Sequence, residues 1–153
     1  MTKEMKISGA APLIAIPTFI YWTITIVISD MSENRFNILN NNKITLIVLG
    51  LILVTIGIIM VVHCAKKLLS SFNNNKLMTD GLYKIFKDPM YAAYMIFVIP
   101  GVTLLFNSWL AMTTVIINYV LYSVFIRKEH VYLRDKFGND YDEYRKTVLI
   151  KFL

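Results

Sequence analysis

Cysteine occurs once in this chain, at Cys64, so no disulfide closes within it and no thiolate array is present to hold zinc. Histidine is nearly as scarce. His63 sits next to Cys64, and adjacent side chains on a helix do not converge on one ion, so no metal is expected. Acidic residues are also few, ten against sixteen Lys and Arg, and the longest apolar runs hold almost no ionisable group. That weighs against a small transporter or channel subunit, which would carry ionisable residues deep in its spans.

What the chain has in quantity is apolar sequence. Its composition is 56% hydrophobic with a mean hydropathy of +0.55, too apolar for an ordinary soluble domain. Its length leaves room for about four spans of ~20 residues each. Four runs qualify, at 7–28, 44–65, 91–106 and 108–126. The expected fold is all-α: one integral membrane domain over 1–153, a bundle of about four transmembrane helices with a cytoplasmic loop and an amphipathic helical tail. Residues 1–65 supply two scaffold helices, and 66–153 a binding loop, a hairpin and the tail. The third run is the shortest, and Pro100-Gly101 within it predicts a kinked or partly re-entrant helix. The first follows Lys3 and Lys6 as a signal peptide would, but it is longer than a usual apolar core and no small-residue cleavage site follows, so a permanent helix is expected.

The basic residues are sorted by side. Assigned to the segments between runs, fourteen fall in one set of alternating compartments and two in the other. The positive-inside rule then places both termini, and the loop after the second run, in the cytoplasm. The net charge of +6 is accounted for by this topology and by anionic headgroups of the membrane lipids, so no nucleic-acid partner is expected.

Several features read as packing or connection. Gly50 and Gly57 fall on one helix face where a neighbour can approach closely, within the protein or in a dimer. The Asn-rich stretch 30–42 reads as a simple outer connection, and Ser70-Ser71-Phe72-Asn73-Asn74-Asn75 as a helix-ending segment. Asn118 within the fourth run needs buried partners, either on a neighbouring helix or in a pocket. Beyond residue 126, Val131, Phe137, Tyr141, Tyr144 and Val148 recur at amphipathic spacing, with Gly138-Asn139 predicted to divide the tail into two short helices.

Polar residues gather in Thr79-Asp80-Gly81-Leu82-Tyr83 and Lys87-Asp88-Pro89-Met90-Tyr91, and again at Arg127, Glu129 and Phe137-Gly138. Charge and irregular backbone at a bilayer edge are costly unless they line a cavity or bind something. Gly81 permits close backbone approach or positive φ, and Pro89 biases Asp88 away from helix. Tyr83, Tyr91 and Tyr94 offer rings and hydroxyls, Glu129 an acceptor, and Lys87 and Arg127 cations. Such a set suits a ligand bearing both charges and an aromatic ring. It suits equally an interfacial tyrosine belt with charges that cap helices, and spacing alone leaves both readings open.

The order of these residues resembles the isoprenylcysteine carboxyl methyltransferase family, whose wider relatives include phospholipid and small-thiol methyltransferases. The family pattern is Thr-x-Gly-x-Tyr, Arg-His-Pro-x-Tyr, a hairpin of two spans, Glu-Glu, then Phe-Gly-x-x-Tyr-x-x-Tyr. This chain supplies Thr79, Gly81 and Tyr83; Lys87, Asp88, Pro89 and Tyr91; Glu129 and His130; and Phe137, Gly138, Tyr141 and Tyr144. The resemblance implies S-adenosyl-L-methionine at the cytoplasmic membrane boundary, with Leu77, Thr79, Gly81, Leu82, Tyr83, Lys87, Asp88, Pro89, Tyr91, Glu129 and His130 as its binding residues. It also implies a lipophilic or membrane-embedded acceptor, an isoprenylcysteine carboxylate, a phospholipid or a thiol. Arg127 and Glu129 would be catalytic, and Arg127, Asn118 and Tyr94 would face the acceptor. No metal is implied.

Three positions depart from the pattern. Lys87 replaces arginine, keeping the charge but losing the bidentate fork. Asp88 stands in place of histidine and His130 in place of the second glutamate, which is read either as a reversed pair that keeps one hydrogen bond or as drift in an inactive or cofactor-sensing membrane protein of the same fold.

Overall fold

The computed structural model describes residues 9–73 and 76–151. Lys3, Lys6, Ile7, Asn74 and Asn75, on which parts of the expectations above fall, lie outside them. The described residues are helical, joined by turns, and their only β pairing is two isolated bridges.

Helix α1 (Ala11–Met31) opens with Pro12 in its first turn, where a missing N–H costs nothing, and carries Pro17 inside. Helix α2 (Lys43–Asn73) is longer than its apolar run: it continues past Lys66 and Lys67 to Asn73, so the polar segment expected only to end the helix extends it, and the loop before the motif is short. Short helices α3 (Leu82–Ile85) and α4 (Pro89–Ala93) follow, and α4 runs through a wide π turn at Tyr94–Val98 into α5 (Ile99–Leu105). The third run, expected to be kinked or partly re-entrant at Pro100-Gly101, carries instead a π turn ahead of Pro100. Pro100 has no N–H to donate and its ring would meet the carbonyl four residues back, a conflict that the wider turn relieves.

A tight connection leads to α6 (Trp109–Met112), capped by Ser108 Oγ accepting from the Ala111 N–H at 3.0 Å, and then to α7 (Thr114–Phe137). Here the expectation of two short tail helices is corrected. The helix of the fourth run does not stop at 126 but carries Glu129, His130 and Phe137 out of the apolar zone as one rod, and Gly138, at φ 54°, ends it before α8 (Asn139–Thr147). Among the described residues three helical stretches are long and apolar enough to cross a membrane, α1, Lys43–Ser71 within α2, and Trp109–Phe137; Pro89–Leu105 is a shorter apolar helix.

Side chains along α1 and α2 such as Ile16, Phe19, Ile52 and Ile59 are exposed, as on a lipid-facing surface. In lipid there is no hydrophobic gain from helix contact, so association falls to close packing and hydrogen bonds. Both are present. A Cβ on Gly50 would sit 2.7 Å from the Gly101 carbonyl oxygen and one on Gly57 2.7 Å from Val98, so the glycine face is used inside the bundle, between α2 and the third run. Between α1 and α7, Asn118 Nδ2 donates to Thr18 Oγ1 at 3.0 Å, and the hydroxyls of Tyr21 and Thr113 lie 2.9 Å apart.

The tail returns to the motif. The Leu149 and Ile150 N–H groups donate to the carbonyls of Lys84 at 3.2 Å and Ile85 at 2.7 Å, and the Lys87 N–H donates to Ile150 at 3.1 Å. With the Tyr144 hydroxyl 3.0 Å from the Tyr83 carbonyl and 3.2 Å from that of Lys87, these bonds fix the irregular backbone that leads into α4.

Candidate active site

Residue 88 precedes a proline and caps α4, but its carboxylate makes no capping bond. It is spent across the bundle instead. Asp88 Oδ2 accepts from the Tyr122 hydroxyl at 2.6 Å and lies 2.9 Å from His130 Nε2, with Lys87 Nζ at 3.9 Å. Tyr122 and His130 are two turns apart on α7, so one carboxylate pins the motif loop to that helix at two heights. Asp88 and His130, two of the three positions that depart from the family pattern, are thus bonded to each other.

Glu129 points elsewhere on α7. Its Oε2 accepts the Ala10 N–H at 3.2 Å, ahead of α1, and the Tyr91 phenol lies beside it. Around these groups lies a cavity of about 130 Å³. Its wall combines the cations Lys76, Lys87 and Lys136, the carboxylates Asp88 and Glu129, the rings of Tyr83, Tyr91, Tyr132, Phe137, Tyr141 and Tyr144, and apolar Leu68, Leu77, Met78, Met90 and Leu133. Burial pushes the phenols of Tyr83, Tyr141 and Tyr144 above their ordinary value, so they remain neutral. Burial pulls the Lys87 ammonium below its ordinary value; nearby Asp88 opposes that shift and Arg145 adds to it.

Of the residues singled out in the sequence, Leu77, Tyr83, Lys87, Asp88, Pro89, Tyr91 and Glu129 line this cavity. His130 stands behind it through Asp88. Thr79, Gly81 and Leu82 do not line it. Gly81, at φ 67°, instead makes the turn into α3, with Lys67 Nζ 2.8 Å from where a Cβ would stand. Arg127 and Tyr94 are exposed and lie outside the wall, and Asn118 is buried on Thr18. Tyr132, Leu133 and Lys136 were missed although they follow Glu129 at helical spacing, a signal present once α7 is known to run to Phe137. Gly9, Leu68 and Ser71 carry no such signal, because the helices that bring them near are distant in sequence.

A bundle of apolar helices with a cavity at one end, walled by opposite charges and tyrosines, is the architecture of a helical membrane protein. The chain belongs to the phospholipid methyltransferase family, whose model matches residues 43–140, from the start of α2 to the start of α8. It is similar to protein-S-isoprenylcysteine O-methyltransferase B of Arabidopsis thaliana, 29% identical over 112 residues, 72% of this chain and 57% of that one. A probable protein-S-isoprenylcysteine O-methyltransferase of Oryza sativa subsp. indica is 30% identical over 79 residues, 50% of this chain and 40% of that one. The chain thus spans about half the length of the curated relatives it matches. No solved structure matches it. The resemblance read from the motif order agrees with these relatives.

Proposed function

We propose that this protein is an S-adenosyl-L-methionine-dependent membrane methyltransferase acting on a lipophilic acceptor at the cytoplasmic face. The observation that carries the reading is one cavity wall holding Lys87, Glu129 and a tyrosine cluster at the end of membrane-length helices. That donor set fits the cofactor, which carries a carboxylate, an ammonium, a sulfonium and an adenine and so needs a cation, an anion and an apolar or aromatic slot. Lys87 would hold the carboxylate, Glu129 the ammonium or a ribose hydroxyl, and the segment Leu77 to Tyr83 the adenine. Tyr91, on the cavity wall, would offer its ring to the sulfonium, where cation-π attraction would contribute about 0.5 to 2 kcal/mol.

The bound cofactor supplies a methyl group on a leaving group already activated for displacement. The protein's part is alignment and the exclusion of water. The Asp88 bonds to Tyr122 and His130 hold Lys87 and Tyr91 in place, and the tail packs Tyr141, Tyr144 and Val148 over the motif loop with Leu77, Tyr83, Leu133 and Phe137. The excess of basic residues on one side orients this end toward the cytoplasm. Arg127 and Tyr94, being exposed, serve an acceptor that arrives from outside the bundle, Arg127 holding its anionic group. The names of the relatives favour an isoprenylcysteine carboxylate as that acceptor, and the family description a phospholipid.

The Asp88–His130 contact of 2.9 Å supports compensation between the two departures rather than loss of function. Calorimetric titration of S-adenosyl-L-methionine and its demethylated product into the full chain in lipid nanodiscs tests the reading. Saturable binding, lost in Glu129→Ala, is expected. A folded wild type that binds neither compound would leave the inactive reading in its place.

A further inference from the structure

We infer that Gly9, ahead of the first helix and outside the family match, is a positioning residue of the cavity: its missing side chain is what lets the Glu129 carboxylate take its place. This rests on the cofactor reading above. Gly9 lines the cavity, and the next residue, Ala10, holds Glu129 Oε2 through its N–H at 3.2 Å. A Cβ on Gly9 would stand 2.6 Å from that same oxygen and 3.0 Å from Cδ of Glu129, closer than packed atoms approach. Gly9 also has φ +48°, a region that glycine enters freely and Asn or Asp tolerate.

The group in the way is the far end of a flexible side chain, not backbone. A methyl at position 9 therefore does not block folding; it displaces the carboxylate, breaks its bond to Ala10 and moves an acceptor on the cavity wall. Only glycine leaves the Ala10 N–H and the Glu129 carboxylate able to meet. Gly9 and Ala10, just ahead of the first helix, are thus a working part of the site, although the motif-bearing region begins far downstream.

The test compares wild type, Gly9→Ala, Gly9→Asn, Glu129→Asp and Gly9→Ala/Glu129→Asp as full chains in lipid nanodiscs, titrated calorimetrically with S-adenosyl-L-homocysteine and melted without it. Gly9→Ala is expected to weaken binding by about tenfold, the worth of a displaced charged hydrogen bond, with a small change in melting midpoint. Gly9→Asn separates the contact from the backbone: it tolerates the positive φ but carries the same Cβ, and is expected to bind as weakly as Gly9→Ala. Glu129→Asp withdraws the carboxylate by one methylene, so adding Gly9→Ala to it is expected to cost nothing further. Losses that multiply in the double variant, a Gly9→Asn that binds like wild type, or a Gly9→Ala that does so would each overturn the positioning role. If wild type itself fails to bind, the cofactor reading falls and this role with it; intact wild-type binding with an indifferent position 9 sinks only the role.

Discussion

Each end of this bundle is closed by a polar knot, and the two knots are built to opposite effect. At the hairpin end Asn107, at φ 50°, accepts at Oδ1 from the N–H groups of Ile38 and Leu39, both at 3.0 Å, and donates from Nδ2 to the Leu39 carbonyl at 2.8 Å. The Trp109 N–H bonds the Phe36 carbonyl at 2.9 Å, and the two rings meet edge to face. The Asn-rich loop is therefore tied down by a neutral amide whose bonds all go to backbone. At the motif end, Asp88 is held by side chains, Glu129 keeps capacity beyond its bond to Ala10, and lysines face a cavity. A knot that consumes its polar groups fixes a fold. A knot that leaves charges facing open space can bind.

Asp88→Ala should break the comparison most severely. It strips the partners from Tyr122 and His130 at once, and we expect a loss of about 3 kcal/mol, the cost of orphaning a buried charge-bearing network, together with loss of cofactor binding in the same titration. Asn107→Ala should cost about 1 to 3 kcal/mol of stability by leaving backbone groups at the hairpin unpaired, yet leave the affinity of the folded protein unchanged. A drop in affinity there would mean that the two ends are coupled.

The reversed pair is sharpened by a cycle of Asp88→His, His130→Glu and the double variant. Each single change should weaken cofactor binding, and the double should recover part of it, with a coupling of about 1 kcal/mol; additive losses would make the 2.9 Å contact incidental. Tyr144→Phe, which removes the hydroxyl shared by the Tyr83 and Lys87 carbonyls, should cost about 1 kcal/mol and loosen the motif loop, seen as faster amide exchange at Lys87.

The smallest effect is one of pH. Burial raises the phenols of Tyr83, Tyr141 and Tyr144 above 10.0, their ordinary value. The folded state then keeps these protons while the unfolded chain gives them up, so their contribution to stability is complete below pH 10 and declines as pH rises through their folded values. The melting midpoint should fall on that alkaline limb, and less steeply in Tyr141→Phe.

The sequence alone settles what depends on local chemistry. Runs of apolar residues become helices because a bilayer leaves the backbone no other partner, Pro100 marks the third run as irregular, Gly138 interrupts the tail, and the motif order marks the family. It does not settle how far α2 runs, nor that α7 continues unbroken from its apolar run to Gly138, since both extend as polar helices beyond those runs. Nor does it settle the site. Gly9 and Ala10 reach Glu129 across 119 positions, Asp88 reaches His130 across 42, and the tail pairs with residues 84–87. Each of those contacts exists only when helices remote in sequence are side by side, so only the tertiary structure could decide which charges face one cavity and which, like Arg127, face outward.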